Sequence, residues 1–208
     1  MSAAQTELFG DISRRFIEEG CFRGVVLRAE RAGRLLFEGA WGHALYTATE
    51  RIPLEASTLF DLASVSKLFT TTAVLKLVSM GKFALRDSVG DLLGESLSSR
   101  LRSLLAAVDV ASLLMHSSGI RPWFPFYTRG HEGFEAILTA ILAEQPPRPA
   151  VIYSDLNFML LGRIVEGTVR LPLSAAIATL VLGPLRLDRT SYGPPLGPAA
   201  ATEFGNHG

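Results

Sequence analysis

The sequence predicts an α+β fold on three observations: two short strand-like runs near the start, a long and mainly helical stretch after them, and no alternation of strand with helix that would build parallel βαβ units. The runs are Gly24 to Ala29 and Leu35 to Ala40, with Gly33 at the turn between them, and they read as a hairpin. A hairpin alone is marginal in water and needs more strands or helices against it. No later run supplies strands, and the tail from Tyr192 to Gly208 is broken by Gly193, Pro194, Pro195, Gly197 and Pro198. The sheet therefore reads as unfinished and the chain as a fragment. The expected organisation is a helix and strand pair over 1–58, a mainly helical region over 59–190 and a Gly/Pro-rich tail over 191–208.

The helices follow from periodicity and breakers. Leu8, Ile12 and Phe16 form an i, i+4, i+8 stripe and predict a first amphipathic helix. Arg51 to Thr58, containing Pro53, reads as a polar loop. From Val65 to Met80 the positions Val65, Leu68, Phe69, Thr72, Leu75 and Val78 predict a helix with that face apolar, closed at Gly81. Within it, Thr70 to Thr72 lower helix propensity, so the run either needs tertiary support or marks a packed position that requires short side chains. Leu85 to Leu93 reads as a loop with a helical turn, and Asp109 as the cap of a short helix through Val110 and Leu114. Arg121 to Gly133, aromatic and rich in breakers, is a loop whose rings form either a satellite core or a pocket wall. Glu135 to Glu144 is a helix stopped by Pro146 and Pro147, Leu156 to Val169 is another, and Pro172 opens a last one ending near Gly183.

Composition excludes several classes. With 208 residues of which 48% are hydrophobic, the chain has ample material for a core. Its 20 basic and 20 acidic residues balance, so no long-range field points to nucleic acid or an anionic membrane. Cys21 is the lone cysteine and makes no intrachain disulfide. The first residues lack the basic patch and apolar core of a signal peptide, and the longest apolar stretches are too short to cross hydrocarbon. A soluble, cytoplasmic protein without a membrane span is the expectation. His43, His116, His131 and His207 have no ligand spacing and no thiolates beside them, so neither a metal nor another cofactor is implied.

Chemistry concentrates at two places. Ser64-Val65-Ser66-Lys67 is an S-x-x-K run at the head of a helix, where residues three apart share a face and the amine can reach the hydroxyl. A serine hydroxyl needs a base, and a lysine serves only if its surroundings keep part of it neutral. The helix N-terminus adds a positive field where an oxyanion would form. The competing reading makes Ser64 an N-cap and Lys67 a surface residue. Tyr153-Ser154-Asp155 then precedes a helix, and a phenol beside an ammonium can hold or take a proton. Its bland alternative is a half-buried tyrosine with a satisfied hydroxyl.

Taken in order, these segments resemble the serine β-lactamase-related hydrolases: class C β-lactamases, DD-peptidases and β-lactamase-like esterases. TLFDLASVSKLFTTTAVL at Thr58 to Leu75 is similar to that family's nucleophile segment, and GKFALRDSVGDLL at Gly81 to Leu93 to the stretch after it. LLMHSSGI at Leu113 to Ile120, VIYSDLNFMLLGRIVEG at Val151 to Gly167 and the later GPLRLDRTSYG complete the series, and Gly24 to Gly42 fits the opening strand pair. The resemblance implies a truncated β-lactamase/DD-peptidase-like fold, with Ser64 as acylated nucleophile and Lys67 and Tyr153 handling its proton. Asp155 stands where asparagine is usual, and with Trp123 and Phe124 it is a candidate substrate contact. His116 and Gly119 match a structural turn, with His116 satisfied by backbone or a neighbour rather than transferring protons.

Two departures shape the expected function. Ionised Asp155 only accepts hydrogen bonds, favours the charged form of Lys67 and disfavours a substrate carboxylate, which leans away from β-lactams toward an uncharged ester or amide. The chain also stops before the K-T-G or H-x-G strand that the resemblance implies, and the tail sequence Asn206-His207-Gly208 carries no strand signal. The leading expectation is a serine hydrolase, an esterase above all, working through an acyl-enzyme on a small-molecule ester, amide or β-lactam. A β-lactamase or DD-carboxypeptidase is an alternative, and so is a catalytically incomplete fragment or binding module, with self-association through the unpaired strand edge left open.

Overall fold

A two-residue turn joins the first strands: Ala32 and Gly33 both have positive φ, the backbone that lets the right-handed twist of the flanking strands continue through a tight hairpin. The computed structural model describes residues 3–94, 97–130, 132–195 and 197–202. His131 and the tail sequence Asn206-His207-Gly208 lie outside them. The chain divides into two compact units, Met1–Ala63 with Tyr192–Gly208, and Ser64–Ser191.

In the first unit, helix α1 (Ala3–Glu18) precedes strands β1 (Gly24–Arg31), β2 (Arg34–Tyr46) and β3 (Arg51–Pro53), antiparallel in the order β1-β2-β3. The loop expected from Arg51 thus begins with a third strand. Pro53 hid it, since proline signals a break, yet proline fits the outer position of a short edge strand. The tail makes one parallel bridge, Leu59 to Ala199, where irregular chain was expected. The sheet is open: β1 pairs only with β2 among the described residues, which leaves a strand edge able to pair further. α1 forms as expected but buries Gly10 and Ser13, while Leu8 and Ile12 of the predicted stripe stay exposed. Phe9 instead stacks on Phe37 of β2, with ring centroids 5.4 Å apart.

The second unit is helical: α2 (Ser66–Ser79), α3 (Val89–Leu93), α4 (Ser99–Leu105), α5 (Val110–Leu114), α6 (Phe134–Glu144), α7 (Asp155–Val169), α8 (Leu173–Ile177), a π-helical turn (Ala178–Leu182) and α9 (Gly183–Leu185). Asp109 caps α5 by accepting from the Ser112 N–H at 2.8 Å, as its position suggested. α4, which the apolar run around Leu104 concealed, is capped by Ser98. The core joins Ala73, Val74 and Leu77 of α2 to Leu156, Leu160, Leu161 and Ile164 of α7, with Leu113, Leu138, Leu142 and Ile177 around them. α2 therefore buries a face rotated from the one expected: Thr70, Ala73, Val74 and Leu77 point inward and Phe69 and Val78 pack at its margins, while Leu68 is 65% exposed and Val65 and Leu75 are exposed too. The helix is apolar on both sides, so periodicity could find the helix but not choose its inner face. Thr70 is packed, and Thr72 turns its hydroxyl back to the Leu68 carbonyl at 2.8 Å. Among the described residues no single helix is long and apolar enough to cross a membrane. The result is an α+β fold with an open three-stranded sheet.

Candidate active site

Ser64 sits in a 3-10 turn (Ala63–Val65) that runs straight into α2. Ala63, just before it, has φ +42, a left-handed backbone that costs a non-glycine residue about 1 kcal/mol and is held here by the Asp61 carboxylate accepting the Ala63 N–H at 2.8 Å. The turn displaces Ser64 from the capping position, which Val65 occupies without a side-chain bond. The N-cap alternative for Ser64 therefore fails, and the hydroxyl stays exposed.

Lys67, one turn later, points back along the helix as side chains do there. Its Nζ donates to Ser64 Oγ at 3.2 Å and to Asp155 Oδ1 of α7 at 2.6 Å. Its side chain is only 15% exposed, so the surface-lysine alternative fails as well. Two rings flank the ammonium, Tyr153 with its centroid at 5.0 Å and Phe158 at 5.7 Å. Burial works against the Lys67 charge, but hydrogen bonds to Asp155 and then Tyr153, reinforced by their charges, outweigh it and hold the ammonium above its ordinary pKa. Lys67 is thus a saturated cation rather than a free amine.

Tyr153 is 55% exposed, and its hydroxyl is hydrogen-bonded to Ser64 and Lys67. Hydrogen bonding to Ser64, then to Lys67, draws its phenol below the ordinary value, with the Lys67 charge adding to the effect and Asp155 opposing it. Its ring lies 4.5 Å from that of His116, tilted by 34°, and His116 also meets Phe158 at 5.2 Å.

A buried polar frame holds this cluster. His116 has φ +54 and its Nδ1 accepts the Ser154 N–H at 3.0 Å, which leaves the ring proton on Nε2 in the neutral form. Burial, then the Lys67 charge, push the His116 pKa down. The Ile152 N–H donates to the His116 carbonyl at 2.8 Å, and beside it Ser118 bridges Ala150, whose carbonyl accepts the Gly119 N–H at 3.1 Å. Gly119, at φ +70, lies so close to Arg148 that a Cβ would sit 1.7 Å from its carbonyl oxygen. Ser154 caps α7 through the Asn157 N–H and donates to the Arg121 carbonyl at 2.7 Å, while the Asp155 N–H donates to the Pro122 carbonyl at 2.8 Å. Asn157, fully buried, accepts from Ser118 Oγ at 2.8 Å and reaches the Leu113 carbonyl. Sequence reasoning assigned no role in the site to Ser118, Ser154, Asn157 or Phe158. An asparagine inside an apolar helical run is the one signal that pointed to this frame, because a buried amide needs partners.

The structure brings Ser64, Lys67, Tyr153 and Asp155 together. Trp123 and Phe124 are not drawn in: among the described residues neither has a hydrogen bond, ion pair or ring contact with those four. Phe124 packs edge-on to Phe126 at 5.4 Å and against the core, taking the satellite-core alternative, and Trp123 is 52% exposed. A cavity of about 460 Å³ runs along α7 from Phe158 to Glu166, walled by Phe126 and Phe134. Among the described residues no group of three or more His, Cys, Asp or Glu side chains is placed to hold a metal.

This fold is that of the β-lactamase and esterase group of hydrolases. The chain belongs to the beta-lactamase family, whose model it matches over residues 9–207. It is 31% identical over 191 residues to the N-acetylmuramyl-L-alanine amidase of Bacillus subtilis (strain 168), covering 83% of this chain and 43% of that protein. Among solved structures it is similar to a class C beta lactamase from Rhodobacter sphaeroides, at TM-score 0.74 and 25% identity over 90% of this chain and 51% of that one. It is also similar to EstCE1, a hydrolase with promiscuous acyltransferase activity, at TM-score 0.68 and 26% identity over 85% and 50% of the two chains. The chain thus spans about half the length of these relatives or less.

Proposed function

We propose that Ser64 is the nucleophile of a serine hydrolase that works through an acyl-enzyme, with an ester as its preferred substrate. The observation that carries this reading is the Lys67 ammonium 3.2 Å from Ser64 Oγ, beside a phenol whose acidity is raised first by hydrogen bonding to that same serine. Lys67 donates and has no lone pair to spare, so the Ser64 proton passes to the Tyr153 phenolate as Oγ attacks the carbonyl carbon. The electron pair of the carbonyl moves to oxygen, where the positive end of α2 favours it. Collapse expels the leaving group, which takes the proton back from Tyr153, and water then enters by the same route in reverse and frees the acid. Lys67 stays protonated throughout and stabilises the phenolate between steps.

Two facts support other readings. The amidase relative favours an amide substrate, and the 43% coverage of it favours a chain that lacks part of the site. One experiment decides. The purified chain is incubated with an alkyl fluorophosphonate and with a penicillin, and intact and peptide masses are read. A phosphonyl adduct on Ser64, absent from Ser64→Ala, is the expected result. Penicillin labelling of the same serine would favour the lactam and peptide readings over the ester. A folded chain that takes up neither reagent would refute independent activity.

A further inference from the structure

The tie between α2 and α7 bears on which substrates the site accepts, a consequence that rests on the serine-hydrolase reading. Lys67 is the one cation that hydrogen-bonds or ion-pairs with Ser64 or Asp155 among the described residues. Asp155 lies 2.6 Å from it and cancels its charge beside the serine. The carboxylate is not hidden: its side chain is 43% exposed, so an arriving molecule meets it. It is also firmly seated, because Asp155 opens α7, where the helix dipole favours an anion, and its own N–H is held by the Pro122 carbonyl. His116 adds no positive charge, since its Nδ1 is occupied as an acceptor from Ser154. Arg121 is stacked on the Phe124 ring at 5.5 Å.

Once Tyr153 has given up its proton, the ammonium faces a carboxylate and a phenolate together, and the cluster is net negative. A substrate with a carboxylate next to its scissile bond adds a further anion to that surplus.

We propose that Asp155 is a specificity-determining residue that biases this site toward substrates uncharged around the scissile carbonyl, by neutralising the cation that, among the described residues, stands beside Ser64 and would attract a substrate carboxylate. Lactams and peptides that carry such a carboxylate are disfavoured, and neutral esters and amides are retained.

The test uses two aryl esters with the same acyl group, 3-carbamoylphenyl butyrate and 3-carboxyphenyl butyrate, which differ in one charge. Phenol release is followed for the unmodified protein, Asp155→Asn and Asp155→Glu, as a burst or as turnover, and the ratio of the carboxylate rate to the carbamoyl rate is compared. Intrinsic ester reactivity cancels between proteins. Asp155→Asn is expected to raise that ratio about tenfold at low ionic strength, with the gain shrinking as salt is added, while Asp155→Glu leaves it near the unmodified value. An unchanged ratio in Asp155→Asn would overturn the proposal while fluorophosphonate labelling of Ser64 left the serine reading standing. Failure of both labelling and phenol release would remove the serine reading, and the proposal with it.

Discussion

The backbone N–H of Ser154 donates to Nδ1 of His116 at 3.0 Å, so the residue between Tyr153 and Asp155 is tied to a loop 38 positions earlier in the chain. Ser154 is fully buried, which means no water replaces that acceptor if it is removed. His116→Ala is expected to cost about 1–3 kcal/mol for the orphaned N–H. His116→Asn tolerates the left-handed backbone and offers a carbonyl oxygen at a similar place, so it should cost much less. Urea unfolding of both variants at pH 7.5 checks the order.

The same histidine makes stability depend on pH, through its burial and then the Lys67 charge. His116 accepts at Nδ1, and its pKa is lowered in the folded state, so the unfolded chain binds the extra proton more readily. The contribution is fully present above the unfolded value near 6.5 and is lost as pH falls through the lower folded value. His116→Asn is expected to flatten the unfolding free energy on the acid side of pH 6.5, measured as the difference between variant and unmodified protein. A parallel pH dependence in the two would contradict the assignment.

Tyr153→Phe keeps the ring against His116 and removes the hydroxyl. Because the phenol is exposed, stability should hardly change, by less than about 0.5 kcal/mol. The hydrolysis rate at neutral pH should fall about 10²–10⁴-fold, the usual worth of a positioned acid-base group. Rates on a neutral aryl ester, taken with a thermal melt on the same sample, separate the two effects. A rate loss under threefold would transfer the base role elsewhere.

Much of this was legible in the chain, and what was not has identifiable causes. Ser64, Lys67 and Tyr153 stood out because side-chain spacing on a helix and the start of a second helix are local properties. That α2 and α7 bring them within hydrogen-bonding distance is a packing outcome. α2 has apolar residues on both faces, and the sequence order of Leu68 and Leu75 gives no sign that they stay exposed while Ala73 and Val74 are buried. β3 was missed because a three-residue edge strand ending in Pro53 has too little alternation to detect. The polar frame of Ser118, Ser154 and Asn157 is made of common residues whose meaning comes from having no solvent around them. Asp155, by contrast, was readable as an anion facing Lys67, and the 2.6 Å contact gives that reading its geometry.

Gly119→Ala probes the turn that carries His116. A methyl there would meet the Arg148 carbonyl oxygen at 1.7 Å, and its backbone already lies at φ +70, so two penalties combine. The bridge between Ser118 and Ala150 has to part, and with it the chain leading to Tyr153. A loss of about 3 kcal/mol or more is expected, or failure to fold. Urea unfolding measures it, and a cost below about 1 kcal/mol would show that the two segments are not held in this contact.

Lys67 and Asp155 act on Tyr153 with opposite sign, which yields a paired prediction. The Lys67 hydrogen bond and charge lower the phenol pKa, whereas the Asp155 charge raises it. The rising acid limb of the rate profile marks conversion of phenol to phenolate. Lys67→Met should therefore move that limb to higher pH, and Asp155→Asn should move it to lower pH. Loss of folding does not mimic this pattern, because it lowers the rate without a reason to move the limb in opposite directions in the two variants, and a thermal melt on each sample reads it separately. Profiles of kcat/KM on a neutral ester from pH 5 to 10 read both shifts. Movement of both limbs in the same direction would mean that the titrating group is not the phenol between these two charges.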